Sequence, residues 1–421
     1  MRAALWFLAL FGVAVAIALF AGNNQGTITV FWPPWRVDLS LNLVLLLLAG
    51  AFVVLYAALR ALSALFDLPR QAWRWRVQQK ERAMHAALLD ALSNLLAGRF
   101  IRSRKSAEAA LVQEKSLHAT GEMLANAVQV RALAHLLAAE SAQSLQDRAG
   151  RDEHLKLALE HTSQREGQEA REGAQLRAAR WALDDREPQT ALKWLEELPQ
   201  GAARRTLALR IRLKAARQAR QTLEALETAR LLAKHRAFSA GAAQSLVRGL
   251  ATELINGAHD TAQLLRTWST LDGAERAMPE LAIQAAQRLI TLGGDAAVAR
   301  AWLLPVWERM VEQPDALGDH LRVKLVRALE AGRDSVDAAW LARIESAQLK
   351  NPRDANLQYL AGMACMKRQL WGKAQQLLTH AALGLQDAGL HRSAWRALAE
   401  LAEQRGDMAV AAEAWKRAAQ A

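Results

Sequence analysis

Residues 395–419 read WRALAELAEQRGDMAVAAEAWKRAA. Apolar residues recur every three or four positions on both sides of Gly406, the spacing of two short helices rather than of a strand. Ala399, Ala411 and Ala418 are small where two antiparallel helices would meet. Trp395, Leu398 and Trp415 are large enough to fill the space between one such pair and the next. Gly406 permits the left-handed turn that ends the first helix.

Thirty-seven residues upstream the same small positions recur as Gly362, Ala374 and Ala381, with Leu370 and Trp371 at the turn, Leu378 at a bulky position and Pro352 before the first helix. Two coincident units of this kind follow the tetratricopeptide pattern, and they place the clearest repeats at about 355–388 and 392–421. Weaker units precede them: Ala179, Ala182, Ala191 and Leu195 ahead of Pro199, Leu281 to Leu304 turning at Gly293-Gly294, and Leu88 to Leu111 turning at Gly98-Arg-Phe100. From Met84 onward the apolar spacing is helical, strand-like runs are missing and the breaks are short and polar, which joins antiparallel neighbours. The expectation is an all-α chain whose residues 84–421 form a tetratricopeptide-like α-solenoid of about eight or nine helix pairs, most degenerate between Lys234 and Lys350. Such an array presents a groove that binds peptides or other proteins, and its Trp and Leu residues are core fillers before they are ligands.

Two uncharged apolar runs precede the array: Ala3–Ala21 and Leu39–Leu59, each about the length that crosses a bilayer as a helix. They predict a transmembrane hairpin over 1–62, with helices at about 3–21 and 39–60. A cleaved signal peptide is the alternative for the first run, but Leu19 would then occupy a position that wants a small residue. The connecting segment, Gly22 to Ser40, is read as a loop and holds one Arg (Arg36) and one Asp (Asp38). Arg60, Arg70, Arg74, Arg76, Lys80 and Arg82 follow the second run in a basic juxtamembrane linker, 63–83. Basic residues near membrane ends stay on the cytoplasmic side, so the loop is expected outside and the C-terminal domain in the cytoplasm. Trp32 and Trp35 flank Pro33-Pro34, and Trp73 and Trp75 alternate with Arg74 and Arg76. Both sets read as interfacial anchors, the second also as a site for anionic headgroups.

The chain has 54 Lys and Arg against 42 Asp and Glu, a formal net charge of +12. The basic residues are spread over helix faces among acids, with no Arg/Lys block interleaved with stacking aromatics, so solvated faces and an anionic membrane account for the charge and nucleic acid is not expected. Cys365 is the one cysteine, which excludes an internal disulfide and a Cys-based metal cage. No dinucleotide glycine fingerprint, phosphate loop, HExxH or CxxC occurs. His154 and His161, seven apart, would share a helix face. His380 and His391 flank a turn downstream of Cys365, and His380 or Cys365 as an axial haem ligand is the one speculative reading they allow. No catalytic, cofactor-binding or metal-binding residue is assigned, and the chain reads as a non-catalytic protein.

The chain resembles the HemY family of proteobacteria. The resemblance is carried by Trp35-Arg-Val-Asp-Leu-Ser-Leu41 after a Gly-containing loop, the basic segment after the second apolar run, Gly98-Arg-Phe100, Arg151-Asp-x2-Leu155, Trp268 in a Leu-Leu-x2-Trp context and, most specifically, Gln369-Leu-Trp-Gly-Lys-Ala-Gln375. It implies an inner-membrane protein with a cytoplasmic tetratricopeptide domain, associated with late steps of haem biosynthesis. It does not imply the flavin-dependent protoporphyrinogen oxidase that bears the same name in some Gram-positive bacteria, because that enzyme needs a glycine fingerprint absent here. A membrane-anchored scaffold for haem-pathway enzymes, a haem or porphyrin carrier, and a general envelope assembly scaffold are the readings this leaves.

Overall fold

The computed structural model describes residues 11–19, 22, 25–119, 126–160, 167–313, 316–332 and 337–420, apart from the side chains of 63–70. The first apolar run therefore falls largely outside the described residues, although 11–19 are helical. Contacts divide the chain into two units, Met1–Arg171 and Glu172–Ala421.

In the first unit the segment read as a loop is a β-hairpin: Thr27–Trp32 pairs antiparallel with Trp35–Ser40, from Thr27 opposite Ser40 to Trp32 opposite Trp35. The signal was present in the alternation of β-branched and aromatic residues about a Pro-Pro turn, and it makes the chain less than wholly α. Cross-strand contacts hold it: the Thr29 hydroxyl donates to Asp38 at 2.6 Å, and the Arg36 guanidinium lies 5.5 Å over the Phe31 ring. Phe31, Trp32 and Trp35 are exposed at its tip.

Ser40 then caps the long helix Leu41–Leu96, its hydroxyl accepting from the Leu43 amide at 3.3 Å. At 56 residues this helix is about 84 Å long. Its first part, Leu41–Leu62, has mean hydropathy 2.4 and buries nothing, and among the described residues it is the one helix long and apolar enough to cross a membrane. The two expected spans thus reduce to one that the structure describes. The expected linker 63–83 continues as helix, with no break before Ala97. Helical geometry also separates Trp73 from Trp75, because residues two apart point to nearly opposite sides. Trp73 stands eleven residues past Leu62, about 16 Å along the axis. A helix standing upright in the bilayer carries it beyond a headgroup layer of roughly 5–7 Å, so the two tryptophans do not form one anchor patch.

Beyond residue 76 the same helix is the first of a pair. Gly98 (φ +72°) turns the chain, and Phe100–Ala119 packs back along it. Val77, Met84 and Leu88 meet Leu117 and Val130, and Ala91, Ala107 and Ala138 meet with every side chain sealed. The Ser103 hydroxyl donates to the Ala91 carbonyl at 2.8 Å and accepts from Ser141 at 2.9 Å. Helices Ala127–Ser144 and Arg148–Glu160 form the second pair.

The second unit holds seven helix pairs among its described residues, from Gln168–Asp184 with Pro188–Glu196 to Ala388–Gln404 with Met408–Gln420. One turn recurs through both units. A residue in left-handed conformation follows the helix, and the next amide donates back to a carbonyl five residues earlier: Asp147 to Ala142 (2.9 Å), Glu187 to Ala182 (2.8 Å), Gln221 to Ala216 (2.9 Å), Gly294 to Leu289 (2.9 Å), Leu370 to Cys365 (2.9 Å) and Asp407 to Ala402 (3.0 Å). This is a Schellman closure. Glycine supplies the left-handed residue at 98, 293 and 406, but Gln146, Arg186, Arg220, Arg236 and Gln369 do so elsewhere.

Small residues set the distance within pairs. Ala399, Ala411 and Ala418 are buried, as are Gly362, Ala374 and Ala381. Trp415 departs from its expected place as a filler: it is 39% exposed, and its indole donates to Glu403 at 2.7 Å. The middle of the array, least legible as repeats, is joined by tryptophans. Trp268 stacks on Trp302 at 4.5 Å, and Trp307 meets Trp340 edge-on at 6.0 Å. These residues lie on the second helices of three successive pairs, Thr261–Thr270, Ala296–Glu312 and Ala338–Lys350.

A Cβ added at Gly362 would stand 2.7 Å from the Leu378 Cγ, whereas one at Gly372 meets nothing within 4 Å. Gly362→Val is therefore expected to lower stability by about 1–3 kcal/mol through overpacking, while Gly372→Ala leaves it unchanged or slightly raised. Thermal unfolding followed by circular dichroism separates the two.

Candidate functional site

The basic residues of the second unit are less evenly spread than the whole-chain composition suggests. Between Arg204 and Arg236 stand ten Arg and Lys and only two Glu, Glu224 and Glu227. Folding then sorts these cations by partner. Arg205 reaches Glu172 at 2.9 Å, Arg212 lies 3.9 Å from Glu224, and Arg230 grips the buried Glu275 with two bonds of 2.8 and 2.6 Å. Arg210, Lys214 and Arg217 have no carboxylate within ion-pair distance among the described residues. They fall at i, i+4 and i+7 of helix Thr206–Gln218, hence on one exposed face.

That face forms one wall of a cleft of about 490 Å³ whose other walls come from Thr222–Lys234, the turn at Phe238 and helix Ala240–Asn256. Leu213, Ala225 and Leu250 make an apolar floor. Phe238 stands at the side, with the Arg210 guanidinium 5.9 Å above its ring and one Arg210 nitrogen donating to the Ala237 carbonyl at 3.1 Å. Glu253 is the single acid in the lining. The cleft offers uncompensated positive charge beside apolar surface, a combination that recognises an anionic group attached to an apolar one.

A larger cleft of about 740 Å³ lies between the start of helix Asp319–Ala331 and the segments 350–357 and 384–387. Its lining holds as many acids as cations, Asp319, Asp354 and Asp387 with Arg322, Lys350 and Arg353; Arg322 pairs with Asp354, and Asp387 both caps its own helix and pairs with Arg327. With acids equal to cations in its lining, this cleft has less to offer an anionic partner than the smaller one, where three cations face one acid.

The histidines and the cysteine singled out in the sequence do not converge. Cys365 is sealed from solvent, its thiol 3.9 Å from Glu345, and burial pushes its pKa up. His380 is exposed, and His391 accepts from the Trp395 indole at 3.1 Å. His161 lies outside the described residues. His154 instead meets His135 across helices Ala127–Ser144 and Arg148–Glu160, with Nδ1 atoms 3.1 Å apart, so one ring donates and the other accepts. No signal in one sequence announces that pair, because it joins two helices. Among the described residues no three His, Cys, Asp or Glu side chains converge as a metal ion would need.

Residues of the sequence resemblance occupy structural positions. Gly98 and Gln369 are left-handed turn residues, Arg151 donates to Gln143 at 2.6 Å and to Asp152 at 2.8 Å, and Lys373 reaches Glu345 at 2.7 Å. Residues 26–146 match the family model described as the HemY protein N-terminus. No curated protein matches the sequence. Among solved structures, the Naa15/Naa10 complex bound to HypK-THB is similar at 12% identity and a TM-score of 0.25, over 76% of this chain and 56% of that one. The APC/C hetero-tetramer Cut9–Hcn1 is similar at 13% identity and a TM-score of 0.26, over 79% and 65%, and the TPR domain of P58(IPK) at 14% and 0.22, over 76% and 99%. The chain thus spans less than two thirds of the first two.

Burial, and then the Arg104 positive charge, hold the His154 imidazole below its ordinary pKa of about 6.5, against weaker opposing pulls from Glu108, Glu153 and Asp147. The folded chain takes up that proton less readily than the unfolded one. The resulting stabilisation is full above about pH 6.5 and disappears as pH falls through the lower folded value. The unfolding midpoint is expected to fall more steeply below pH 6.5 in the wild-type chain than in His154→Gln, as measured by thermal melts across pH 5 to 8.

Proposed function

We propose, for a chain whose residues 26–146 match the model of the HemY protein N-terminus, the role of a HemY-type, membrane-anchored, non-catalytic scaffold that holds enzymes of late haem biosynthesis at the inner membrane through its helix pairs. The observation that carries this reading is the unbroken helix Leu41–Leu96. The rod that is apolar enough to cross a bilayer over Leu41–Leu62 is also, from Val77 onward, the first helix of the first pair. The backbone stays helical from the anchor into the first pair, Pro69 removing one bond on the way, so that first pair is held close to the lipid. Partners captured there meet at far higher effective concentration than free enzymes, and apolar tetrapyrrole intermediates pass between them with less loss to water. Lys and Arg dominate the charged residues between Arg60 and Arg82, with Asp67 and Glu81 the two acids, which favours a cytoplasmic location for the array. A first span within Ala3–Ala21 and an outward-facing hairpin complete the proposed topology. The carrier alternative gains nothing at Cys365, which is sealed and has no face to offer a macrocycle.

Two measurements test this. A reporter active only in the cytoplasm, fused after Ala421, is expected to be active, and periplasmic activity would overturn the orientation. Cross-linking in cells followed by detergent extraction is expected to enrich late haem-pathway enzymes over a control carrying residues 1–62 alone. Equal recovery from both would reject the scaffold.

A further inference from the structure

We propose that the cleft between helices Thr206–Gln218 and Ala240–Asn256 is the docking groove for an extended acidic segment of a partner protein, one with an apolar side chain among its carboxylates. This rests on the scaffold reading and names the partner's chemistry. Arg210, Lys214 and Arg217 span about 10 Å of helix axis, in steps of roughly 6 and 4.5 Å. An extended chain presents alternate side chains on one face about every 6.5–7 Å, so successive acidic side chains on that face reach successive cations. None of the three has a carboxylate of its own to give up, and this charge complementarity costs no broken ion pair.

The floor supplies the second part of the code. Half-buried Phe238 and the edges of Leu213 and Leu250, with Ala225 sealed beneath, form the apolar side of the cleft, and an apolar side chain of the ligand packs on Phe238 there. At about 490 Å³ the cleft accommodates a few residues of extended chain rather than a folded domain. Glu253, the lone acid of the lining, disfavours a uniformly anionic polymer. The surrounding excess, ten cations against two acids from Arg204 to Arg236, steers an acidic segment toward this part of the array.

The test uses the full chain in nanodiscs of neutral phosphatidylcholine, so that lipid charge does not compete. The probes are a fluorescent twelve-residue Glu/Asp peptide with one central Leu, its Gln/Asn analogue, and a single-stranded DNA 12-mer. Saturable binding is expected for the acidic peptide alone, weakened at least about tenfold by Lys214→Glu with Arg217→Glu and by raising salt from about 0.05 to 0.3 M. Lys214→Gln with Arg217→Gln is expected to weaken it in the same direction with an unchanged melting curve, which excludes misfolding. Arg392→Glu with Arg396→Glu, a matched reversal at exposed cations on helix Ala388–Gln404, is expected to leave binding unchanged. Absence of saturable binding, equal loss in the matched pair, or a DNA strand that displaces the peptide overturns the proposal. Haem-pathway enzymes cross-linking equally to wild type and the Lys214/Arg217 variant would sink the groove and leave the scaffold standing. Loss of all such partners from wild type would sink the scaffold itself.

Discussion

Close approach of two short helices, closed by a left-handed turn, is the constraint on which the array depends. Alanine and glycine at the meeting positions bring backbones near enough for the larger residues of neighbouring pairs to interlock, and the contact at Gly362 against Leu378 shows how little room is left. The turn matters as much as the contact. The carbonyls at a helix end lack partners, and the bond from the amide after the left-handed residue satisfies one while reversing the chain. Where that residue is not glycine, as at Arg186, Arg220 and Gln369, the fold accepts backbone strain of about 1–2 kcal/mol at each site. Packing on both sides over-determines the turn and carries that cost.

Burial of charge follows the same economy. Glu275 is nearly sealed, and the Arg230 fork meets both of its oxygens while also reaching the Thr270 carbonyl. Arg300, equally buried, donates to the Gly332 carbonyl at 3.1 Å. The Tyr359 hydroxyl donates to Glu330 at 2.6 Å from a fully buried ring. A buried ion without such partners would be expelled or neutralised, so cations inside the array are held and structural. Arg210, Lys214 and Arg217 are exposed and reach no carboxylate among the described residues, although Arg210 donates to the Ala237 carbonyl.

Parts of this were readable from single residues. Gly98, Gly293 and Gly406 mark their turns because glycine adopts positive φ without penalty, and Asp260, Asp295, Asp337, Asp354 and Asp387 each cap a helix through their side chains. In the degenerate middle, contacts between tryptophans of successive pairs, Trp268 on Trp302 and Trp307 on Trp340, join residues too far apart in the chain for a local repeat pattern to show. The β-hairpin is hard to see in sequence because its six-residue strands lie between two strongly apolar runs and have the length of a connector. The basic cleft was only half legible. An excess of Arg and Lys can be counted along the chain, but which of them are already paired cannot.

The amino-acid sequence alone determined the class of this protein: an apolar span long enough for a bilayer, followed by helix pairs whose small and large residues repeat with the period that packing requires. Periodicity and composition are local properties, and a local reading suffices for them. Tertiary structure alone decided that the anchor and the first packed helix are one continuous helix, that His154 faces His135, and that Arg205, Arg212 and Arg230 reach acids while Arg210, Lys214 and Arg217 line a cleft without one. Each of these depends on where residues far apart in the chain come to rest, and the energy of a charge or a hydrogen bond is set by that neighbourhood rather than by the residues on either side.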